Sequence, residues 1–341
     1  MASTADQVRS SIVRLVVQPP PPAEFGSAMS AAVRQLLPFD GWCLIGLDPD
    51  TGLRTFQLGQ NGTVSSSTEA LARNEAQMSD VNHFSELARA EQPAGWLSRE
   101  HPRAPTSLRF NEILRPQGIH SELRIGLREG GRLWGALVLF RSHRGRLFDD
   151  ADVACTSSFT GPLARAVRRY PVRQFPTRPE PIGQGVVLLA PDNRLIAVST
   201  HAQSWLADLV PGDGDTGPED VLRVVFDAAN AARGLGDAST TLRTVSGRWL
   251  RVEGVAVTTG DADVAVLMHA AHVTHIVAAL RAFHGLTPRE TQILDQVVDG
   301  RPSKQIAHRL DISLLTVNAH LTSIYRKCGI TGREELFAQL Q

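Results

Sequence analysis

The chain has 341 residues, 42% of them hydrophobic, and its 35 lysines plus arginines are matched by 35 acids. That length predicts two or three domains with packed cores, and zero net charge excludes a global basic field of the kind that draws nucleic acid to a whole surface. Cys43, Cys155 and Cys328 are widely spaced without a CxxC pair, which argues against a zinc cluster or disulfide framework; with no leader or long apolar run, a soluble cytoplasmic protein with no membrane contact is expected.

Residues 1–22 are a first segment. Val8, Ile12, Leu15 and Val16 fall on one side of a predicted helix, which Pro19 to Pro22 stop. Such a stripe must be buried, against its own domain or against a second subunit, and the second is the preferred reading.

From 23 to 170 the pattern is mixed. A helix with Met29, Val33 and Leu36 leads into a buried strand, Trp42 to Asp48, and a turn at Pro49 to Gly52 sends the chain back. Helical stretches follow near Glu69 to Gln77 and Asn82 to Ala90. Then SELRIGLREGGRLWGALVLFRS reads as a hairpin turning at Glu129, Gly130 and Gly131. FDDAD after it puts carboxylates at the start of a long final helix. This run, above all the GRLWGALVLFRS hairpin with FDDAD, resembles a GAF domain. The resemblance implies a small-molecule pocket between the sheet and the segment from about Phe84 to Leu123, with Trp42, Trp96, Phe110 and Glu122 as candidate ligand contacts. The same aromatics suit a plain core, and both readings stand at this point. The residue set associated with cyclic-nucleotide GAF domains is not found.

Proline-rich residues 171–181 read as a linker. In 182–271, two strands around a PDN turn precede a short helix at His201 to Leu209, a polar loop, a helix at Val221 to Ala232 and three further strands. The order resembles a PAS-like domain, and lacking cysteine it offers no covalent flavin link; packing and dimerisation suit it as well as sensing does. In 272–284 a connecting helix carries Val273, Ile276, Val277, Leu280 and Phe283 as a stripe, able to pair with its twin or to pack back on its own sheet.

Residues 285–341 state a function. Thr287, Pro288 and Glu290 make a capping box at a helix start, and Gly300 a left-handed stop. Ser303 is expected to cap a second, short helix. Ser313 caps a third, with Val317, Leu321, Ile324 and Cys328 as its buried stripe and Gly329 as its end. Its other side, with Leu315, Ala319, Thr322, Ser323 and Arg326 and with Asn318 on the flank, is slim, polar and free of acids, as a helix entering a major groove must be. Thr331 and Glu334 are expected to open a fourth helix. These residues resemble the DNA-binding domain of the LuxR family of transcriptional regulators, on LTPRE at Leu286 to Glu290, Gly300, Ile306 with Ala307, Thr316 with Val317, His320 with Leu321, Lys327, Gly329 and Arg333.

The resemblance implies that Lys304, Thr316, His320 and Lys327 face phosphates and that Asn318, Ala319 and Thr322 face base edges. Where the family often has lysine, this chain has Asn318 and Thr322. Asparagine suits adenine and the small groups suit a thymine methyl, so a preference for A·T pairs is expected. The lost lysines weaken phosphate attraction, and a homodimer on a two-fold site compensates; the resemblance places the fourth helix at that contact.

His269, His272 and His275 cross a predicted strand-to-helix junction and do not make a metal site. No nucleophile elbow, kinase signature or zinc-protease motif is present, so no enzyme, metal or cofactor is expected. The reading is an α+β multidomain chain: a GAF-like α/β sensor domain, a PAS-like α+β domain and an all-α four-helix LuxR-type helix-turn-helix, acting on double-stranded DNA in response to a small-molecule effector. Its rivals are a ligand-free regulator and an adaptor whose last module has lost DNA binding.

Overall fold

The computed structural model describes all residues except 1–2, 22–23, 143–144, 171–181, 211–216, 237 and 341, together with the side chains of 235 and 259. The expected linker therefore lies outside the described residues. Two compact units result, Met1–His269 and Ala270–Gln341.

The first unit opens with α1 (Thr4–Val17), started by a reciprocal cap between Ser3 and Asp6. Val8, Ile12 and Leu15 are buried in the same core as Phe25, Met29 and Val33 of α2 (Phe25–Arg34) and as Leu163 and Val167 of α6 (Thr160–Arg169). The stripe is thus covered by its own domain, correcting the expectation of a second subunit: an apolar face with local partners of matching shape needs no other.

A five-stranded antiparallel sheet follows, made of β1 (Gly41–Leu47), β2 (Arg54–Gln60), β3 (Ala94–Ser98), β4 (Ser121–Glu129) and β5 (Arg132–Arg141) in the order β2-β1-β5-β4-β3. Along β4, Leu123, Ile125 and Leu127 join the core shared with α1 and α6. Glu122 and Arg124 alternate with them and point the other way, as a period of two requires. That second face is covered by α3 (Thr68–Gln77), α4 (Phe84–Arg89) and irregular helical turns over 104–117, with Phe84, Phe110 and Leu114 in its apolar cluster.

The predicted long final helix is two, α5 (Asp150–Thr156) and α6. Between and beside them, the hydroxyls of Thr156, Ser157 and Ser158 each donate to the carbonyl three residues back, at 2.7 to 2.9 Å. Side chains that compete for backbone acceptors in this way interrupt a helix.

A second five-stranded sheet, β6 (Gly185–Leu189), β7 (Leu195–Val198), β8 (Ala238–Arg243), β9 (Trp249–Thr259) and β10 (Ala262–Ala270), has the order β7-β6-β10-β9-β8. Numbered within itself, that is the order of the first sheet. α7 (Thr200–Ala207) and α8 (Pro218–Leu235) cover one face around Trp205, Val225 and Ala229. Ala72 of α3 is part of this second core, so α3 and α8 join the two sheet-bearing halves. Arg54 on β2 reaches Asp227 on α8 at 3.1 Å, and Ser65 and Thr68 bond Asp220 at 3.1 and 3.3 Å.

The second unit is helical: α9 (Val273–His284), α10 (Pro288–Val298), α11 (Ser303–Arg309), α12 (Leu314–Cys328) and α13 (Arg333–Gln339). The α9 stripe of Ile276, Val277, Leu280 and Phe283 is buried within the single chain, with α10 and α12 against the helix. That leaves none of those four side chains bare for a twin. Among the described residues no helix is long and apolar enough to cross a membrane.

Candidate functional site

The helical unit is built around α12. Ser313 caps it through the Thr316 amide at 3.0 Å, and Gly329 ends it at a φ of 70°. Asp311, at a φ of 49°, makes the tight turn from α11. Two predicted caps differ in detail. Ser303 is the first residue of α11, with Pro302 in the cap position. Gly332 caps α13, and Glu335 rather than Glu334 reaches back to an amide, that of Thr331, at 2.7 Å.

Val317, Leu321, Ile324 and Cys328 seat α12 on its neighbours, and burial pushes the Cys328 thiol up to about 12. A second anchor is ionic. Glu290 completes the capping box with Thr287, and the same buried carboxylate accepts from Ser323 Oγ at 2.8 Å and Lys327 Nζ at 2.6 Å. Burial works against its charge, but Lys327, the Thr287 amide and Ser323 outweigh it, and the carboxyl is held at about 2. Ser323 and Lys327 therefore tie α12 to α10. Spacing alone does not show this, because the partners lie 33 and 37 residues apart.

The remaining candidates are differently placed. Thr316, Asn318, Ala319, Thr322 and Arg326 are exposed along α12, Lys304 is exposed on α11 and His320 is half-buried. Thr322 donates to the Asn318 backbone carbonyl at 3.0 Å. Leu315 shares this side and is 80% exposed, an unusual position for leucine. Among the described residues, Lys304, Arg309 and Arg326 have no carboxylate partner, whereas Arg281, Arg301 and Lys327 do. The unpaired Arg309 was not among the candidates, for the sequence does not say which cations are neutralised.

The four ligand candidates are not brought together. Trp42 is buried in the core on one face of the first sheet and Phe110 in the cluster on the other. Trp96 is half-buried, its Nε1 donating to Asp150 at 2.7 Å. Glu122 is clamped between Arg109, at 2.9 Å, and Arg124, at 3.3 Å. Over most of segment 84–123 the space against the sheet is filled by that apolar cluster and this ion network. A cavity of 660 Å³ borders only the start of the segment, where Phe84, Ser85, Ala88 and Arg89 of α4 line it with the first sheet's turns, α3 and α8, and none of the four candidates lines it.

Residues 284–339 match the luxR family of bacterial regulatory proteins, and residues 23–167 match the GAF domain family. The nitrate/nitrite response regulator protein NarL of Escherichia coli K12 is 31% identical over 146 residues, 41% of this chain and 56% of NarL. The HTH-type transcriptional regulator MalT of Yersinia pestis is 38% identical over 56 residues, 16% of this chain and 6% of MalT. The chain thus spans little more than half the length of NarL. Among solved structures, Escherichia coli SdiA aligns over 97% of this chain and 94% of its own, at 13% identity and a TM-score of 0.36. A phycoerythrobilin-bound GAF domain from a cyanobacterial phytochrome aligns over 50% and 97%, at 15% identity and a TM-score of 0.36. The chain therefore carries a GAF domain followed, at residues 284–339, by a helix-turn-helix of the luxR family of bacterial regulatory proteins.

Proposed function

We propose that this protein is a cytoplasmic, homodimeric transcription regulator that reads a two-fold DNA site with α12 and responds to a small molecule in its sheet-bearing unit. The observation that carries the reading is the exposed side of α12. It presents Asn318, Ala319, Thr322 and Arg326 without one acid, on a helix held from behind by an apolar stripe and the Glu290 clamp. Such a helix fits the major groove, where an asparagine pairs bidentately with adenine and a methyl group rests on thymine. Thr316, Lys304, His320, Arg326 and the unpaired Arg309 supply phosphate contacts. Lys327 and Ser323 act by holding the helix at its working angle.

Attraction is modest. From His284 onward seven lysines and arginines face six acids, and two copies on a two-fold site supply what one lacks. The second sheet, with two strands, two helices and three strands in sequence, supports the PAS-like reading of that domain.

Selection of bound duplexes from a random pool tests the reading. A two-fold, A·T-rich sequence should be enriched, and its affinity should fall linearly with salt on logarithmic axes. Asn318→Ala should relax base choice at one position in each half-site and cost about 1–3 kcal/mol. A pool with no enriched sequence would instead favour an adaptor role for the helical unit.

A further inference from the structure

Leu315 is 80% exposed, and among the described residues no other large apolar side chain is as open; Val17 follows at 70%. A single bare leucine elsewhere on a surface needs no explanation. Here its place gives it a meaning. Leu315 is the second residue of α12 and shares one strip of the helix with Asn318, Ala319 and Thr322, three, four and seven residues on, all of them exposed. Ala319 and Thr322 are small, so they do not screen the leucine from the side. Helical side chains lean toward the amino terminus, and the amino-terminal end of the second helix of a helix-turn-helix is the part that meets base edges. Leu315 therefore leads the strip.

The helix starts around it are charged unequally. An acid suits the start of any helix, and α10 begins with Glu290 and α13 with Glu334 and Glu335. The first turns of α11 and α12 hold none. These are also the helices that carry Lys304, Arg309 and Arg326, the cations without a carboxylate partner among the described residues. The surface in which Leu315 sits is thus complementary to a polyanion. Leucine neither donates nor accepts a hydrogen bond, so the polar edges of a base pair are invisible to it. The apolar group that the major groove offers is the C5 methyl of thymine.

We infer that Leu315 is a specificity-determining residue that reads the C5 methyl of one pyrimidine in each half-site by apolar contact alone. The inference rests on the DNA-reading function proposed above and deepens it. One consequence separates this contact from readout by Asn318: because no hydrogen bond is involved, a methylated cytosine placed at that position satisfies Leu315, and an unmethylated one does not.

The test uses the full chain and the duplex enriched from the random pool, with each thymine of the half-site replaced in turn by deoxyuridine, which removes the methyl group and nothing else. At one thymine the exchange should weaken binding by the wild-type chain about fourfold per half-site, the worth of one buried methyl group. In Leu315→Ala that penalty should vanish while penalties at other thymines persist. At the same position 5-methylcytosine should bind more tightly than cytosine by about the same factor in the wild type and equally in the variant. An exposed substitution should leave the melting temperature unchanged, so a loss of binding is not a loss of folding. Bound duplexes that show no uracil penalty, or penalties that all survive Leu315→Ala, overturn the inference and leave the regulator reading standing. Unchanged DNA affinity in Leu315→Ala with weaker self-association also overturns it, making Leu315 a contact between copies. A wild-type chain that binds no duplex removes the regulator reading and this inference together.

Discussion

The two sheets of the first unit share one strand order but differ in how they are covered. In the first, β4 and β5 are buried nearly end to end, because apolar clusters lie on both faces. In the second, β6 alternates and β7 is open along most of its length, because among the described residues the apolar cluster around α7 and α8 lies on one face. The difference decides where charge can sit. Residues of β4 that would face water in a one-sided sheet are enclosed, so Glu122 and Arg124 are paired with each other and with Arg109 and Glu75. Arg109 also reaches the Val81 carbonyl at 2.7 Å and Asn74 at 3.3 Å and is fully buried. On the second sheet the pair Arg251 with Glu253 stays partly in solvent, as does Asp263 with Arg233 of α8.

The largest expected effect tests that contrast. Arg109→Leu leaves Glu122 and Asp80 enclosed with too little positive charge and should cost about 3–5 kcal/mol in urea unfolding. Arg251→Leu should cost about 1 kcal/mol or less, since solvent replaces its partner. Equal losses would mean that the second covered face has no such consequence.

Acid sharpens the comparison further. Asp80 is held at about 2 by Ser107, the Arg109 amide and guanidinium and Asn74, against the burial that opposes its charge. Glu290 is held at about 2 as well. Both folded values are depressed, so the stability they contribute is fully present above the unfolded carboxyl range and is lost as pH falls from roughly 4.5 through 2. Each should contribute on the order of 2–3 kcal/mol. Hydrogen exchange between pH 5 and 2 should show residues 74–82, 107–124 and α10 with α12 losing protection ahead of β8 to β10.

A smaller effect concerns how α8 approaches its sheet. A Cβ at Gly254 would stand 2.4 Å from the Ala228 carbonyl oxygen, a backbone atom that cannot swing aside. Gly254→Ala should cost about 1–3 kcal/mol by lifting α8 from β9. The smallest lies on the open strand: Ile196→Ser on β7 should change stability by no more than about 0.5 kcal/mol. A large loss there would reveal a cover over the face that this chain leaves open.

What could be read beforehand was local. The caps at Thr287 and Ser313, the stop at Gly329 and the stripe from Val317 to Cys328 are all relations within four residues or repeats of one period, and the hairpin around Gly130 is another. The exposed state of Asn318 and Thr322 follows from the same periodicity. The ligand candidates were less legible: Trp42, Phe110 and Glu122 all carry chemistry that suits a pocket, and whether an aromatic or an acid fills a core or lines a cavity depends on neighbours far away in the chain.

By itself, then, the order of residues determined where several helices are capped, which side of them is apolar, and that the last module is a helix-turn-helix, because those properties come from contacts between near neighbours. Only the tertiary structure decided what covers each apolar side and what neutralises each charge. It put the α1 stripe into its own domain, gave Glu290 the two side chains expected on DNA and enclosed Arg109. The physical reason is that a period reports burial without naming the partner, and partners separated by tens of residues meet only when the whole chain has packed.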